Sequence, residues 1–504
     1  MQMTLSALFE GIPVHSPLPS LETSHITSDT RQVAPGSIFF CLRGFTADGH
    51  DFAEKALSLG AAAVVCERDL GLAEKQILVD NTHEAYALCC ANLFGNPQRR
   101  LTLVGVTGTN GKTTVTHLIR DVLQGLGHKT GLIGTIETDL GDISFPAKYT
   151  TPDPLSFYSI LSQMADAGCQ YVVMEVSSHG LDQKRVAGCR FAVGVFTNLT
   201  QDHLDYHQTM EAYFQAKKRL FSLCDQGVVN LDDSYGRRLL SEAPCPLKSF
   251  STSLDEADYT AKSVELRADG SAFAFVGCGM IARVKFPVPG EFSVSNAMAA
   301  ISACLALGCD LQKTVSILSA SPGVPGRFEV LKTDTPYIVI RDYAHTPDAI
   351  EKILQALRAV TDGRIMILFG CAGNRDRKKR AQMTDIAAKL ADFVVLTSDN
   401  PRSEDPLQII EDAKPGLLQH QTPYRIIPDR YEAIRWALGH CQEGDTLLLA
   451  GKGHEDYQVL AHGTIHFDER EVVAELLARG IPEKTEDEQG GTDETLRNRR
   501  SSRR

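Results

Sequence analysis

Leu101-Thr102-Leu103-Val104-Gly105-Val106 runs through Thr107 into Gly108-Thr109-Asn110-Gly111-Lys112-Thr113-Thr114. The first stretch is apolar and β-rich, glycine punctuates the turn, and Thr114–Leu126 then reads as a helix. A strand, a glycine-rich turn and a helix in that order make a cradle for phosphate. Glycines let backbone N–H groups approach the oxygens, and the helix N-terminus presents its positive end. Lys112 then reaches the outer phosphates and the Thr113 hydroxyl serves Mg²⁺. The spacing departs from the plain G-x-x-x-x-G-K-T pattern, which would place its first glycine at Val106, where Gly105 stands one position earlier.

Outward from this turn, further apolar runs at Tyr171–Val176 and Ala192–Thr197 alternate with helical patterns, as a parallel sheet in an α/β layer requires. Before it, Ser37–Leu42, Ala61–Cys66 and Gln76–Val79 are short strand-like pieces. After it, Pro287–Gly290 breaks the chain ahead of an Ala-rich helix, Ser293–Leu307, and proline and glycine cluster again at Ser321–Arg327. A second alternation follows, with Tyr337–Arg341, Arg364–Gly370, Phe393–Thr397 and Thr446–Gly451 as strands and helices starting at Pro347 and Lys379. At ~150 residues per domain, 504 residues predict about three α/β domains. The expected divisions are 1–96, 97–328 and 329–480, with 481–504, which ends Arg-Asn-Arg-Arg-Ser-Ser-Arg-Arg, as a solvated, disordered tail.

Composition narrows the class. Hydrophobic residues make up 43% of the chain, enough for several cores, and the formal charge of −12 argues against a nucleic-acid partner. The 13 cysteines form no Cys-x-x-Cys pair and read as reduced, buried thiols. No run approaches the ~20 apolar residues of a membrane span, and the N-terminus lacks a signal-peptide pattern. The expectation is a cytoplasmic, soluble protein.

Two further segments carry chemistry. Met174-Glu175-Val176-Ser177-Ser178-His179 puts Glu175 at the C-terminal end of a strand, where α/β ligand sites form. Thr197-Asn198-Leu199-Thr200-Gln201-Asp202-His203-Leu204-Asp205-Tyr206-His207 is dense in polar and ionisable groups. It reads either as a solvated loop or as part of a site for a hard cation.

The phosphate loop Thr107-Gly108-Thr109-Asn110-Gly111-Lys112-Thr113-Thr114 resembles that of the Mur ligases and of their relative folylpolyglutamate synthetase. The two cation segments look like the metal-site motifs of that family, which implies Glu175 and His203, with Thr113, as magnesium ligands. Met210-Glu211-Ala212-Tyr213-Phe214-Gln215-Ala216-Lys217 resembles the family segment whose lysine is carbamylated. By residue type Lys217 is a helical surface lysine; only the resemblance makes it a metal ligand, as a carbamate, and a catalytic residue with Lys112 and His203. Thr150, Thr151, Ser177, Gln183 and Arg185 fall where the family holds the substrate's sugar and peptide, and Asn296 matches an asparagine near the adenine.

The resemblance extends to both ends. Ser28-Asp29-Thr30-Arg31 and Gly44-Phe45-Thr46-Ala47-Asp48-Gly49-His50 are similar to the uridine-nucleotide domain, with Ser28 and Thr30 implied as binding residues; the usual Asp-Ser-Arg reads Asp-Thr-Arg here. Gly326-Arg327-Phe328 and Asp342-Tyr343-Ala344-His345 match signatures near the nucleotide, implying Arg327 and Asp342. Arg375, the Asp399-Asn400-Pro401-Arg402 motif, Gly451 and Glu455 match the acceptor site of the diaminopimelate adders. On composition alone, Arg402 is a surface-loop residue pairing with Glu404 or Asp405.

The resemblance covers residues 20 to about 475 in order. It implies a central phosphate-loop, parallel-sheet domain flanked by a uridine-nucleotide domain and a Rossmann-like C-terminal domain. The implied reaction uses ATP and Mg²⁺ to join meso-diaminopimelate to UDP-MurNAc-L-Ala-D-Glu through an acyl phosphate, in a monomeric enzyme of peptidoglycan synthesis. A lysine-adding ligase and folylpolyglutamate synthetase are the alternatives.

Overall fold

The structure, a computed structural model, describes residues 2–44, 47–267 and 270–480. Phe45 and Thr46 of the second N-terminal motif, and the 481–504 tail, lie outside the described residues. The chain forms two compact units: residues up to 199, with 206–260 and 298–317, and residues 200–205, 261–297 and 318 onward.

The first unit contains a small parallel sheet ordered Ile26–Thr27, Ile38–Phe40, Ala63–Cys66, Gln76–Leu78. Every residue of Ile38–Phe40 and Ala63–Cys66 is buried, which is why these strands read as continuous apolar runs rather than alternations. Helix Thr82–Leu93, capped by the Asn81 side chain, presses Ala85, Tyr86 and Cys89 onto one face.

In the same unit, Thr102–Thr107 lies between Tyr171–Glu175 and Phe191–Phe196 in a parallel sheet. Thr130–Ile133 extends it on one side, and Cys224–Asn230 and Leu247–Ser251 on the other. The chain enters this sheet at a middle strand and builds outward in both directions. Such a reversal opens a crevice at the carboxyl ends of the strands. Helix Lys112–Gly125 starts two residues earlier than its periodicity suggested, because the glycine turn delivers the chain already helical at Lys112.

The second unit holds a six-stranded sheet ordered Glu329–Leu331, Ile338–Asp342, Thr446–Ala450, Ile365–Cys371, Phe393–Ser398, Tyr424–Ile426; only its first pair is antiparallel. Helices Pro347–Arg358, Lys378–Leu390 and Pro406–Leu417 contribute Ile350, Leu354, Ala387 and Ile410 to the core on one face. Thr446–Ala450, the last of these six along the chain, sits between the strands starting at Ile338 and Ile365, so this sheet too reverses its order there. Gly270–Gly277 and Met280–Phe286 form an antiparallel hairpin in this unit, with Cys278 and Gly279 both at positive φ in its turn.

No disulfide joins the cysteines, and most of them are buried. Among the described residues no helix is long and apolar enough to cross a membrane.

Candidate active site

At the end of Thr102–Thr107 the backbone turns through Gly108, φ +150°, and Gly111, φ +86°. A side chain on Gly108 would collide with the Thr197 hydroxyl, so the close approach of two strand ends demands glycine as firmly as the dihedral does. Thr197 and Asn198 brace the loop. Thr109 N donates to Asn198 O at 2.9 Å, Asn110 N to Asn198 Oδ1 at 2.9 Å, and the Thr197 hydroxyl to Asn110 O at 2.6 Å. The Lys112 ammonium folds over its own loop, donating to Gly108 O at 3.0 Å and Thr109 O at 2.9 Å. Its charge thus sits at the positive end of helix Lys112–Gly125, where the two loop carbonyls offset an otherwise unfavourable placement of a cation.

Glu175 ends the neighbouring strand, its backbone in register with Val106 and its side chain 1% exposed. Thr135 holds the carboxylate from both sides, N–H to Oε1 at 2.7 Å and hydroxyl to Oε2 at 3.0 Å. The same hydroxyl lies 3.0 Å from Thr150 Oγ1. Thr151 bonds the Glu175 carbonyl at 2.9 Å and accepts from Ser177 N at 2.9 Å. Arg185 donates to Thr151 O at 2.6 Å and, through two nitrogens, to Gln183 Oε1 at 2.8 and 3.1 Å. Five of the residues picked from sequence, Thr150, Thr151, Ser177, Gln183 and Arg185, therefore form one hydrogen-bonded chain leading to Glu175. Burial lowers the pKa of the Arg185 guanidinium. Ser28 and Thr30 sit beyond the end of Ile26–Thr27, beside an Asp29–Arg31 pair closed at 2.6 Å.

Lys217 corrects the reading from residue type. It is 1% exposed, on helix Met210–Lys218, and its ammonium donates to Gly108 O at 2.7 Å. It also lies 4.5 Å from the Tyr213 ring centre, and the Tyr213 hydroxyl is 3.2 Å from Thr109 Oγ1. Helix spacing alone cannot reveal this, because the helix meets the phosphate loop along its last turn. Thr135, Thr197, Asn198 and Tyr213 were not singled out from sequence as site residues; each is of ordinary type and becomes visible only through the contact it makes.

The second unit contains Thr200–Asp205. His203 has φ +53°, its backbone N donates to Asp202 Oδ1 at 3.0 Å, and its ring lies 3.5 Å from the same carboxylate. Lys379 Nζ is 3.7 Å from Asp202. Burial pushes the Asp202 carboxyl up, but the His203, Lys379 and His345 charges overcome it and hold it well below the usual carboxylate range. His345 moves down to about 4, by burial first and by Lys379 second. Asn296 stands half-buried on helix Glu291–Ala306. Asp342 accepts from Phe328 N and Ala344 N, each at 2.7 Å, and the Arg327 guanidinium stacks 4.4 Å from the Tyr343 ring centre.

Asp399 and Asn400 follow strand Phe393–Ser398 and meet the turn after Thr446–Ala450, at the reversal point of that sheet. Gly451, φ +107°, leaves room for Asp399: a Cβ there would be 2.6 Å from Asp399 Oδ2. Asn400 Nδ2 donates to Glu455 Oε2 at 2.8 Å, and Lys452 Nζ is 3.2 Å from the same oxygen. Arg402, φ +55°, donates to Gly373 O at 2.6 Å. Arg402 does not pair with Glu404 or Asp405, the partners composition alone suggested, for a physical reason. Buried Arg380 takes Glu404 at 2.9 and 3.0 Å, and Asp405 caps Leu407 N at 3.0 Å. Arg375 is exposed on the turn after Asn374.

Two α/β units with clusters at strand-order reversals, one of them a braced glycine loop leading into a helix, define a phosphate-loop α/β protein. Three family models match consecutive segments: "Mur ligase family, catalytic domain" over residues 22–92, "Mur ligase middle domain" over 106–304 and "Mur ligase, glutamate ligase domain" over 326–453. The UDP-N-acetylmuramoyl-L-alanyl-D-glutamate–2,6-diaminopimelate ligase of Geobacillus kaustophilus is 45% identical over 462 residues, 90% of this chain and 94% of that protein. A protein of the same name from Clostridium acetobutylicum is 41% identical over 465 residues, 91% of this chain and 95% of its own. A solved structure of a UDP-N-acetylmuramoyl-L-alanyl-D-glutamate–2,6-diaminopimelate ligase superposes with a TM-score of 0.67 at 33% identity, covering 95% of this chain and 99% of that one. The chain belongs to the Mur ligase family.

Proposed function

We propose that this protein uses ATP to join meso-2,6-diaminopimelate to UDP-N-acetylmuramoyl-L-alanyl-D-glutamate in peptidoglycan synthesis. The observation that carries the reading is the relatives of that name, aligned over nine-tenths of the chain. We assign residues 1–96 to the UDP-substrate, 97–328 to ATP and phosphoryl transfer, and 329–480 to the incoming amino acid.

The γ-phosphoryl of ATP passes to the free carboxylate of D-glutamate, giving an acyl phosphate and ADP. The acceptor amine attacks the carbonyl carbon; the C–N bond forms, the bond to the phosphate oxygen breaks, and the amine's proton leaves with phosphate as the other product. Lys112 and the loop N–H groups neutralise the transferring phosphoryl, while Thr150, Thr151, Ser177, Gln183 and Arg185 position the peptide. The donor set suits magnesium. Thr113 and Glu175 are buried oxygen donors, and among the described residues no group of three or more His, Cys, Asp or Glu forms a closed cage. Hard oxygen donors of this kind are the ones a magnesium ion would take. When bound it would supply charge neutralisation at the phosphates; Glu175, Thr113, His203 and carbamylated Lys217 are the assigned ligands.

The test is ADP release and amide formation with the UDP-dipeptide, offering meso-diaminopimelate and L-lysine separately. Product from diaminopimelate alone is expected. ADP release independent of dipeptide and amino acid would replace the ligase with an NTP-driven switch.

Lys217 gives a second expected result. Adding CO₂ to its amine, with loss of a proton, turns a cation into a hard oxygen ligand. Lys217→Ala should lower kcat by about 10²-fold or more, and short carboxylic acids should restore part of the rate. An unmodified Lys217 turned away from the phosphates in a ligand-bound, active crystal form would end the carbamate assignment.

A further inference from the structure

We propose that Lys452 is a positioning residue for the acceptor: its ammonium, sealed beneath the turn after Thr446–Ala450, keeps the Glu455 carboxylate oriented as the partner of a cationic group on the incoming amino acid. The inference rests on the diaminopimelate reading and extends it to a residue that would not itself touch the substrate.

Lys452 is 0% exposed, which for a lysine calls for a compensating partner. Its Nζ lies 3.2 Å from Glu455 Oε2 and 3.4 Å from Asn400 Oδ1. It is also 5.6 Å from the Tyr457 ring centre. Asn400 donates to the same Glu455 oxygen at 2.8 Å, so two donors from two different strand ends fix one carboxylate oxygen. Asn400 is in turn fixed by Val459 N, which donates to its Oδ1 at 2.9 Å. Glu455 is thereby oriented from the buried side.

The charge balance makes Lys452 more than a strut. Burial pushes the Glu455 carboxyl above its ordinary range, and Asp399 pushes it in the same direction; Lys452 is the cation that opposes them. The other titratable neighbours are Tyr343 and Tyr457, both raised by burial with Glu455 adding to the shift, while Arg327 and Arg402 act on them in the opposite sense. Without Lys452, burial and Asp399 would be opposed only by the Asn400 hydrogen bond, and the Glu455 carboxyl would move further up, toward its protonated form. A neutral acid cannot pair with an ammonium as strongly as a carboxylate can.

Steady-state kinetics of the full chain across pH 7 to 9 test this. Lys452→Met should raise KM for meso-diaminopimelate at pH 7 by roughly 10- to 100-fold, the worth of one shielded charge-assisted bond. The defect should shrink as pH rises, because the raised Glu455 pKa means the anion returns only at higher pH. Glu455→Gln should show the same defect without recovery, and Lys452→Arg, which keeps the cation, should follow the unsubstituted protein. A folded Lys452→Met protein with unchanged KM, or with a defect independent of pH, would overturn the proposal. If the methionine variant does not fold, infrared difference spectra of the unsubstituted protein against Glu455→Gln at pH 7 decide. Carboxylate bands support the proposal and a protonated-acid band overturns it. Failure of the unsubstituted protein to use diaminopimelate at all would instead overturn the substrate reading on which this inference stands.

Discussion

Lys112→Ala is expected to lower kcat by about 10³-fold while the fold survives. A preorganised donor aimed at developing charge in a site shielded from water contributes on the order of 3–4 kcal/mol to the transition state, and Lys112 brings a full charge to that position. In the structure its ammonium spends its hydrogen bonds on Gly108 O and Thr109 O of its own loop. An arriving phosphate would compete with these two carbonyls for the ammonium. The cost to stability is small for two opposing reasons. Two hydrogen bonds worth about 1 kcal/mol each are lost. A cation is also removed from the positive end of helix Lys112–Gly125, which returns part of that loss. The measurement is kcat under saturating substrates beside a thermal melt. Turnover within a few-fold of normal in a folded Lys112→Ala protein would take the phosphate loop out of the mechanism.

Why the loop was readable and Lys217 was not follows from where the determinants lie. The phosphate cradle is contiguous: strand, glycines, lysine and helix occupy adjacent positions, and each glycine answers a local demand of φ or close approach. The parallel strands were readable for a related reason. Burial on both faces leaves no alternation, so Tyr171–Glu175, Ile365–Cys371 and Thr446–Ala450 stand out as apolar runs to within about two residues. The environment of Lys217 is decided by a loop more than a hundred positions away, and nothing in Ala-Lys-Lys says which lysine faces it. The hairpin Gly270–Phe286 carried a signal that went unread. Ala282, Val284 and Phe286 alternate with exposed Arg283 and Lys285, and Cys278-Gly279 supplies the positive-φ turn.

The lysine-452 cluster and the Glu404–Arg380 pair share this non-local origin. Arg380 is buried and divides itself between Asp412, at 2.7 Å, and Glu404. It thereby consumes the acid that a sequence reader would give to Arg402. A buried arginine from helix Lys378–Leu390 so leaves a loop arginine available for a ligand, and the two effects are one.

That availability sets the largest effect expected of this protein, a preference for meso-diaminopimelate over L-lysine by about 10⁴-fold in kcat/KM. The two amino acids differ in one carboxylate beside the distal amine. Arg402 is held in place by its backbone N–H on Val459 O, at 3.0 Å, and by one guanidinium nitrogen on Gly373 O, at 2.6 Å. We assign the rest of the guanidinium to that distal carboxylate, which a planar fork can bind through two parallel charge-assisted bonds. Asn400, two positions before Arg402, donates to Glu455 Oε2 at 2.8 Å, so we assign the same end of the acceptor to an anion-binding and a cation-binding group together. With lysine bound, Arg402 would be shut from water without its partner, and it is this unpaired charge, more than the missing attraction, that rejects the wrong amino acid. Arg402→Ala should therefore raise KM for diaminopimelate by roughly 10²-fold or more, leave KM for ATP within about two-fold, and narrow the preference over lysine, because the discriminating charge is gone from both complexes. Competition kinetics with both amino acids in one vessel read the preference directly. Equal use of lysine and diaminopimelate by the unsubstituted protein would remove Arg402 from acceptor choice while leaving phosphoryl transfer at Lys112 untouched.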